Sequence, residues 1–242
     1  MSTGRFAPET LPDPLLRIVE ARHHNPFEVL GRHVVDGRCT VRALLPRAER
    51  VRLMTSGLEL DRIPGTRLFV WEGDPALVPE HYHLHWYDAR GQVHHQLDPY
   101  CFPLQLSDFD LHLFGEGRHW HAYRFLGAHP HRAEGVDGVL FAVWAPNAGR
   151  VSVVGDFNAW DGRAHTMRSR GGSGVWELFI PELGAGALYK YELRDQQGNI
   201  HVKIDPYANA FQVRPENACI ICPADGYEWG DSAWLESRAR AD

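Results

Sequence analysis

Residues 151–162, VSVVGDFNAWDG, run four strand-forming residues into a glycine and then set Phe157 and Trp160 in and just before an Asp-Gly turn. A rigid aromatic ring on an exposed turn is the group that stacks on the CH-rich face of a sugar, by the same energetics as aromatic burial. The other use of a large ring in a loop is to plug the end of a sandwich. Composition leaves both open for Trp160.

Two further groups invite chemistry. Cys219 and Cys222 form one CxxC in ENACIICPADG. A zinc site needs four ligands, hence a second pair, and a redox CxxC opens a helix whose dipole lowers the thiol pKa. Neither context is visible. On an extended segment residues three apart diverge, so two buried structural thiols are expected. His81, His83 and His85 would project from one strand face, and a His-x-His pair can hold zinc, but the local sequence supplies no carboxylate or thiol to orient them. A solvated strand face is the expectation, with no metal and no cofactor.

These groups need strands to hold them, and the chain shows those strands twice. VLGRH (29–33) resembles FLGAH (125–129), TVRALLPRAERVRLM (40–54) resembles LFAVWAPNAGRVSVV (140–154), and HYHLHWYDARGQVHHQLDPYCF (81–102) resembles LYKYELRDQQGNIHVKIDPYANAF (188–211). The order is kept, and the last match runs without a gap from Tyr82/Tyr189 to Tyr100/Tyr207. Tyr82, Leu84 and Trp86 alternate with histidines, as Tyr189, Tyr191 and Leu193 alternate with polar residues, which is the signature of half-buried strands. DARGQ, RDQQGN and RGGSG supply hairpin turns. The expected fold is all-β, two tandem immunoglobulin-like β-sandwich domains with short terminal helices. The expected division is a flexible 1–13, a first module over 14–112, a second over 113–228 and a linker helix over 229–242. Asp13, and Asp231 or Ser232, are the candidate helix N-caps.

The chain has 242 residues, 44% of them hydrophobic, and a formal charge of -6. That balance, with no Lys/Arg run, argues against nucleic acid. No stretch of about 18 apolar residues marks a membrane span, and the N-terminus lacks a basic-then-apolar leader. Four cysteines are too few for a disulfide scaffold, so reduced thiols in a cytoplasmic protein are expected.

The string FAVWAPNAGRVSVVGDFNAWDG, followed by GVWELFIPELGAGALYKYELRDQQGN and KIDPYANAFQVRPENAC, resembles the family 48 carbohydrate-binding module that precedes the catalytic barrel of α-glucan-acting enzymes. EARHHNPFEVLGRH (20–33) is similar to the opening of the extra N-terminal module of bacterial 1,4-α-glucan (glycogen) branching enzymes. The resemblance implies that Trp160, with Asn158 beside it, and Lys190 touch α-1,4-glucan (glycogen or maltooligosaccharide). A second tryptophan that such modules carry after the next hairpin is replaced by Ile200. In the first copy Leu60 and His83 stand at the places of Trp160 and Lys190, so that copy is expected to be a spacer, and changing Tyr100 in it is expected to leave sugar binding intact.

Branching is transglycosylation by a carboxylate nucleophile and a carboxyl acid/base, borne in that family on a (β/α)8 barrel. The barrel's D-x-x-x-N-H, G-x-R-x-D and late H-D segments are absent here, so no catalytic residue is expected. The resemblance makes the chain a non-catalytic arm of a glycogen-branching transferase, with the barrel as partner. Trp229, Trp234 and Leu235 would lead onto that barrel, leaving the last ten or so residues mobile without it. The alternatives are a protein-docking module without sugar binding, or the same region of a debranching or trehalose-forming hydrolase.

Overall fold

The computed structural model describes residues 11–223 and 230–240. Trp229 and residues 1–10 of the expected flexible N-terminus lie outside them. The first half builds seven antiparallel strands: β1 (Gly31–Val35), β2 (Arg38–Leu44), β3 (Ala48–Leu53), β4 (Glu59–Arg62), β5 (Leu68–Gly73), β6 (His83–Asp88) and β7 (Val93–Leu97). They run in the order β1-β2-β5-β4-β3-β6-β7, with β4 joining the two leaves of the sandwich. The second half forms a four-stranded sheet from β8 (Gly127–Ala133), β9 (Val136–Trp144), β11 (Arg168–Ser169) and β12 (Val175–Pro181). Facing it is a five-stranded sheet of β10 (Ala148–Gly155), β13 (Leu188–Asp195), β14 (Ile200–Lys203), β15 (Ala210–Phe211) and β16 (Cys219–Ile220). The chain is all-β, as its alternating pattern predicts.

The duplication is visible in the hydrogen bonds. In both copies a register shift falls at the same place, Ala48/Arg50 in β3 and Ala148/Arg150 in β10. His33 Nε2 donates to the Leu30 carbonyl at 2.9 Å, and His129 Nε2 to that of Leu126 at 2.9 Å. Tyr82 gives its hydroxyl proton to Asp98 at 2.5 Å, and Tyr189 to Asp205 at 2.7 Å. Each carboxylate also accepts the backbone N–H two residues on, from Tyr100 at 3.0 Å and Tyr207 at 2.8 Å. The repeated Asp-Pro-Tyr is thus an internal latch. Burial pushes the Asp98 carboxyl up to about 6 and that of Asp205 upward as well.

The halves are welded, not merely adjacent. Ile18, Leu30, Leu68 and Tyr100 from the first share one apolar cluster with Val151 and Met167 from the second. The Tyr100 hydroxyl accepts from Thr166 N at 3.0 Å and donates to Thr166 O at 3.2 Å. Arg150, 2% exposed, reaches back to the Ala21 carbonyl at 3.1 Å and binds Glu192 at 2.7 Å.

Among the described residues three α-helices accompany the sheets: α1 (Asp13–Val19), α2 (Asp108–Gly115) and α3 (Ser232–Ala239). The terminal two fall where expected; the cap of α1 is not the expected Asp13, whereas that of α3 is the expected Asp231. Pro12 occupies the N-cap of α1, while Asp13 pairs with Arg17 at 2.6 Å, and Asp231 caps α3 without a side-chain bond. Helix α2, capped by the Ser107 hydroxyl accepting from Asp110 N, lies across residue 112. It helps cover the outer face of the four-stranded sheet, where Leu111 packs with Phe125 and Leu140.

Candidate ligand-binding site

Strand β10 enters the site fully buried, Val151, Ser152 and Val153 each at 0% exposure. Its hydrogen bonds end at Gly155, and a single 3-10 turn, Asp156–Asn158, follows. Asn158 fastens the turn from within. Its Oδ1 accepts from Gly155 N at 2.9 Å, and its Nδ2 donates to Val153 O at 2.9 Å and to His165 Nδ1 at 2.9 Å. The next two residues, Ala159 and Trp160, both take the left-handed conformation, φ +57° and +60°. Two such residues in a row, neither glycine, are costly, and the Trp160 N–H bond to Gly155 O at 2.9 Å holds them there.

That backbone separates the two rings. Phe157 turns inward, packing against the core beside Phe141 and His165. Trp160 turns outward and is 40% exposed. The following Asp161 is clamped by Arg163, Nε at 2.9 Å and Nη2 at 2.7 Å.

Lys190 lies directly across from Val154 on β13. Its ammonium stands 5.9 Å from the Trp160 ring centre, within cation–π range. It also donates to Asn217 Oδ1 at 2.5 Å. An aromatic face, an ammonium and an amide therefore converge on one surface spot, a combination able to stack on a ring and hydrogen-bond its hydroxyls. Asn217 was not anticipated; it lies 27 residues from Lys190 on a loop with no motif. Asn158, expected at the ligand, is 6% exposed with both ends of its amide engaged. It shapes the turn and does not reach outward. Ile200 is exposed but pairs with Arg194, four residues along β13 from Lys190.

The first copy presents no such spot. Leu60 is 3% exposed in its core, and His83 Nε2 contacts Glu182 Oε1 at 2.9 Å. His81, just before β6, contacts Glu134 at 3.0 Å, so His81 and His83 both meet carboxylates of the other module, which the local sequence did not disclose. Among the described residues no three His, Cys, Asp or Glu side chains form a metal-binding group. Cys219 is buried and Cys222 half-buried, both unpaired. Burial raises the Cys219 thiol above its usual pKa, the opposite of a reactive cysteine.

Three buried carboxylates hold the fold together. Glu177, 0% exposed, accepts from Gln105 N, Leu106 N, Arg168 and Arg170. Asp98 and Asp205 are held by the tyrosine latches.

Comparison with known proteins places two family matches on this frame. Residues 12–100 match the model described as alpha-1,4-glucan branching enzyme GlgB, N-terminal domain. Residues 125–208, which include Trp160 and Lys190, match carbohydrate-binding module 48 (isoamylase N-terminal domain). The chain is 58% identical over 239 residues to the 1,4-alpha-glucan branching enzyme GlgB of Methylococcus capsulatus, covering 98% of this chain and 32% of that protein. It is 48% identical over 248 residues to the same-named protein of Nitrosococcus oceani, covering 100% of this chain and 33% of that one. The chain thus spans about a third of the length of these relatives.

Proposed function

The chain belongs to the N-terminal region of the 1,4-alpha-glucan branching enzymes, a GlgB N-terminal domain followed by a carbohydrate-binding module 48, and from that premise we propose that it is a non-catalytic arm that binds α-1,4-glucan and positions it for branching elsewhere in a longer polypeptide. The observation that carries the reading is the convergence of Trp160, Lys190 and Asn217 at one exposed point. Trp160 supplies the stacking face. Lys190 and Asn217 supply donors and an acceptor for the sugar hydroxyls, and Asn158 holds the turn that aims the ring.

The first module acts as a brace: it carries no platform, yet it closes over Thr166 through Tyr100. Its match to the branching-enzyme N-terminal domain favours a branching parent over a debranching or trehalose-forming hydrolase. The partner we propose for the arm is the catalytic barrel of that parent, in the cytoplasm. Among the described residues no helix is long and apolar enough to cross a membrane.

Titration of the chain with maltoheptaose, followed by tryptophan fluorescence, tests the proposal. Saturable change that Trp160→Ala diminishes supports it. Its absence in the wild-type chain leaves a docking module without sugar binding.

A further inference from the structure

Trp144 is the last residue of β9, and its ring is 56% exposed although the seven residues before it, from Asp137 onward, are buried save the first. The exposure comes from a fixed seat. The Phe114 ring of α2 meets the indole edge-on at 6.2 Å and 75°. On its other flank stands Gly174, at φ +71°, where a Cβ would lie 2.7 Å from Pro146 and 3.0 Å from Trp144 Nε1. The strand end beneath is locked by Ala145 N donating to Gly174 O at 2.9 Å and Trp176 Nε1 donating to Ala145 O at 3.0 Å. A rigid, half-bare indole costs little conformational entropy on binding.

Its position relative to Trp160 follows from the topology. Strand β9 ends at Trp144, the chain turns at 145–147, and β10 then runs the length of the sandwich to the Trp160 turn. Eight residues of β10 span roughly 26 Å at about 3.3 Å each. The two rings therefore occupy opposite poles of the second module.

We infer that Trp144 is a second α-glucan stacking site, independent of the first for short chains and joined to it by a polymer. The inference rests on the α-glucan reading of the module. A short maltooligosaccharide engages one pole at a time, whereas a branched polymer offers chains to both, and its apparent affinity exceeds that of either site through effective concentration.

The test is a maltotetraose titration of the 15N-labelled chain, following the indole N–H signals of Trp144 and Trp160 as assigned from Trp144→Phe and Trp160→Phe. Both signals should shift saturably. Trp160→Ala should leave the Trp144 midpoint within about twofold, and Trp144→Ala should do the same for Trp160. In co-sedimentation with glycogen, each single alanine variant should lose at least about tenfold in apparent affinity. A Trp144 signal unmoved while that of Trp160 shifts overturns this inference and leaves the first site standing. If neither moves, both readings fall. Should Trp144 ignore sugar but become protected in a longer polypeptide, it is a protein contact and the inference is overturned.

Discussion

Asn158 and His165 share a buried hydrogen bond, amide nitrogen to imidazole Nδ1 at 2.9 Å, directly beneath the turn that presents Trp160. The bond requires an unprotonated Nδ1, because the Asn158 Oδ1 already accepts from Gly155. Burial drives the His165 pKa from 6.5 down to about 4, so the neutral ring is the native form.

This makes acid the natural solvent for loosening the site. Between pH 6.5 and 4 the unfolded chain takes up a proton at His165 that the native protein refuses, so stability falls as pH falls, by about 3 kcal/mol in all. Asp98, raised from 3.8 to about 6, works the other way between about pH 4 and 6, where the native protein binds the extra proton. The measurement is therefore a difference: urea denaturation of wild type and His165→Gln at pH 7 and pH 4. Glutamine keeps an acceptor and does not titrate, so the variant should gain on wild type as the solution is acidified. Parallel pH curves would rule this out.

Trp160→Ala should remove maltoheptaose binding at the turn, leaving only what the Trp144 pole retains, and should cost less stability than truncating a buried ring, about 1 kcal/mol, because Trp160 is already 40% exposed. Wild-type affinity should be weak, on the order of 0.1–1 mM, or about 4–5.5 kcal/mol. A loss of about 3–5 kcal/mol in the variant would mark the ring as a plug. Isothermal titration and chemical denaturation of one variant decide between these outcomes.

The two copies of one arginine should behave differently. Arg50 pairs with Glu59 at an exposed surface, while Arg150 is buried with Glu192 and donates to the Ala21 and Gly162 carbonyls. Arg50→Met should cost at most about 1 kcal/mol. Arg150→Met should cost about 3–5 kcal/mol, because Glu192 loses a partly buried partner and two carbonyls lose their donor. Equal costs by urea denaturation would contradict the burial contrast.

Tyr100→Phe strips the hydroxyl from Thr166 and leaves a buried N–H and C=O unpaired, at about 1–3 kcal/mol. The half-exposed Tyr207 offers the control, and Tyr207→Phe should fall within about 0.5 kcal/mol. Sequence reasoning treats Tyr100 as remote from the sugar site, but Thr166 adjoins His165, so Tyr100→Ala should weaken maltoheptaose binding as well as stability. Unchanged binding would show that the turn is insulated from the first module.

The 242-residue chain by itself should leave iodine-stained amylose unchanged, because its sequence holds none of the D-x-x-x-N-H, G-x-R-x-D or H-D segments on which the resemblance places the reacting carboxylates. Falling absorbance with new α-1,6 linkages by NMR would overturn this.

Local pattern made much of the architecture legible. Alternation marks Tyr82, Leu84, Tyr189 and Tyr191 as core, and the internal repeat aligns Asp98 with Asp205 without showing that each latches onto a tyrosine. What stayed hidden depends on partners far along the chain. Helix α2 is eight residues long, too short for a periodic signal, though Ser107 followed by Asp110 is a legible cap. Trp160 and Lys190 could be picked out from their motifs; Asn217 could not, since only folding brings its loop to β13. The inward turn of Asn158 follows from His165, whose role no spacing rule announces.

The weld between the halves changes what the duplication means. Tandem repeats ordinarily melt as separate beads, and one can be shed without harm to the other. Here Tyr100, Ile18 and Arg150 give both halves one core, so calorimetry should record one transition with equal van't Hoff and calorimetric enthalpies. Deleting the platform-less copy would uncover Thr166 and Arg150, so the second module expressed alone should melt below the whole chain.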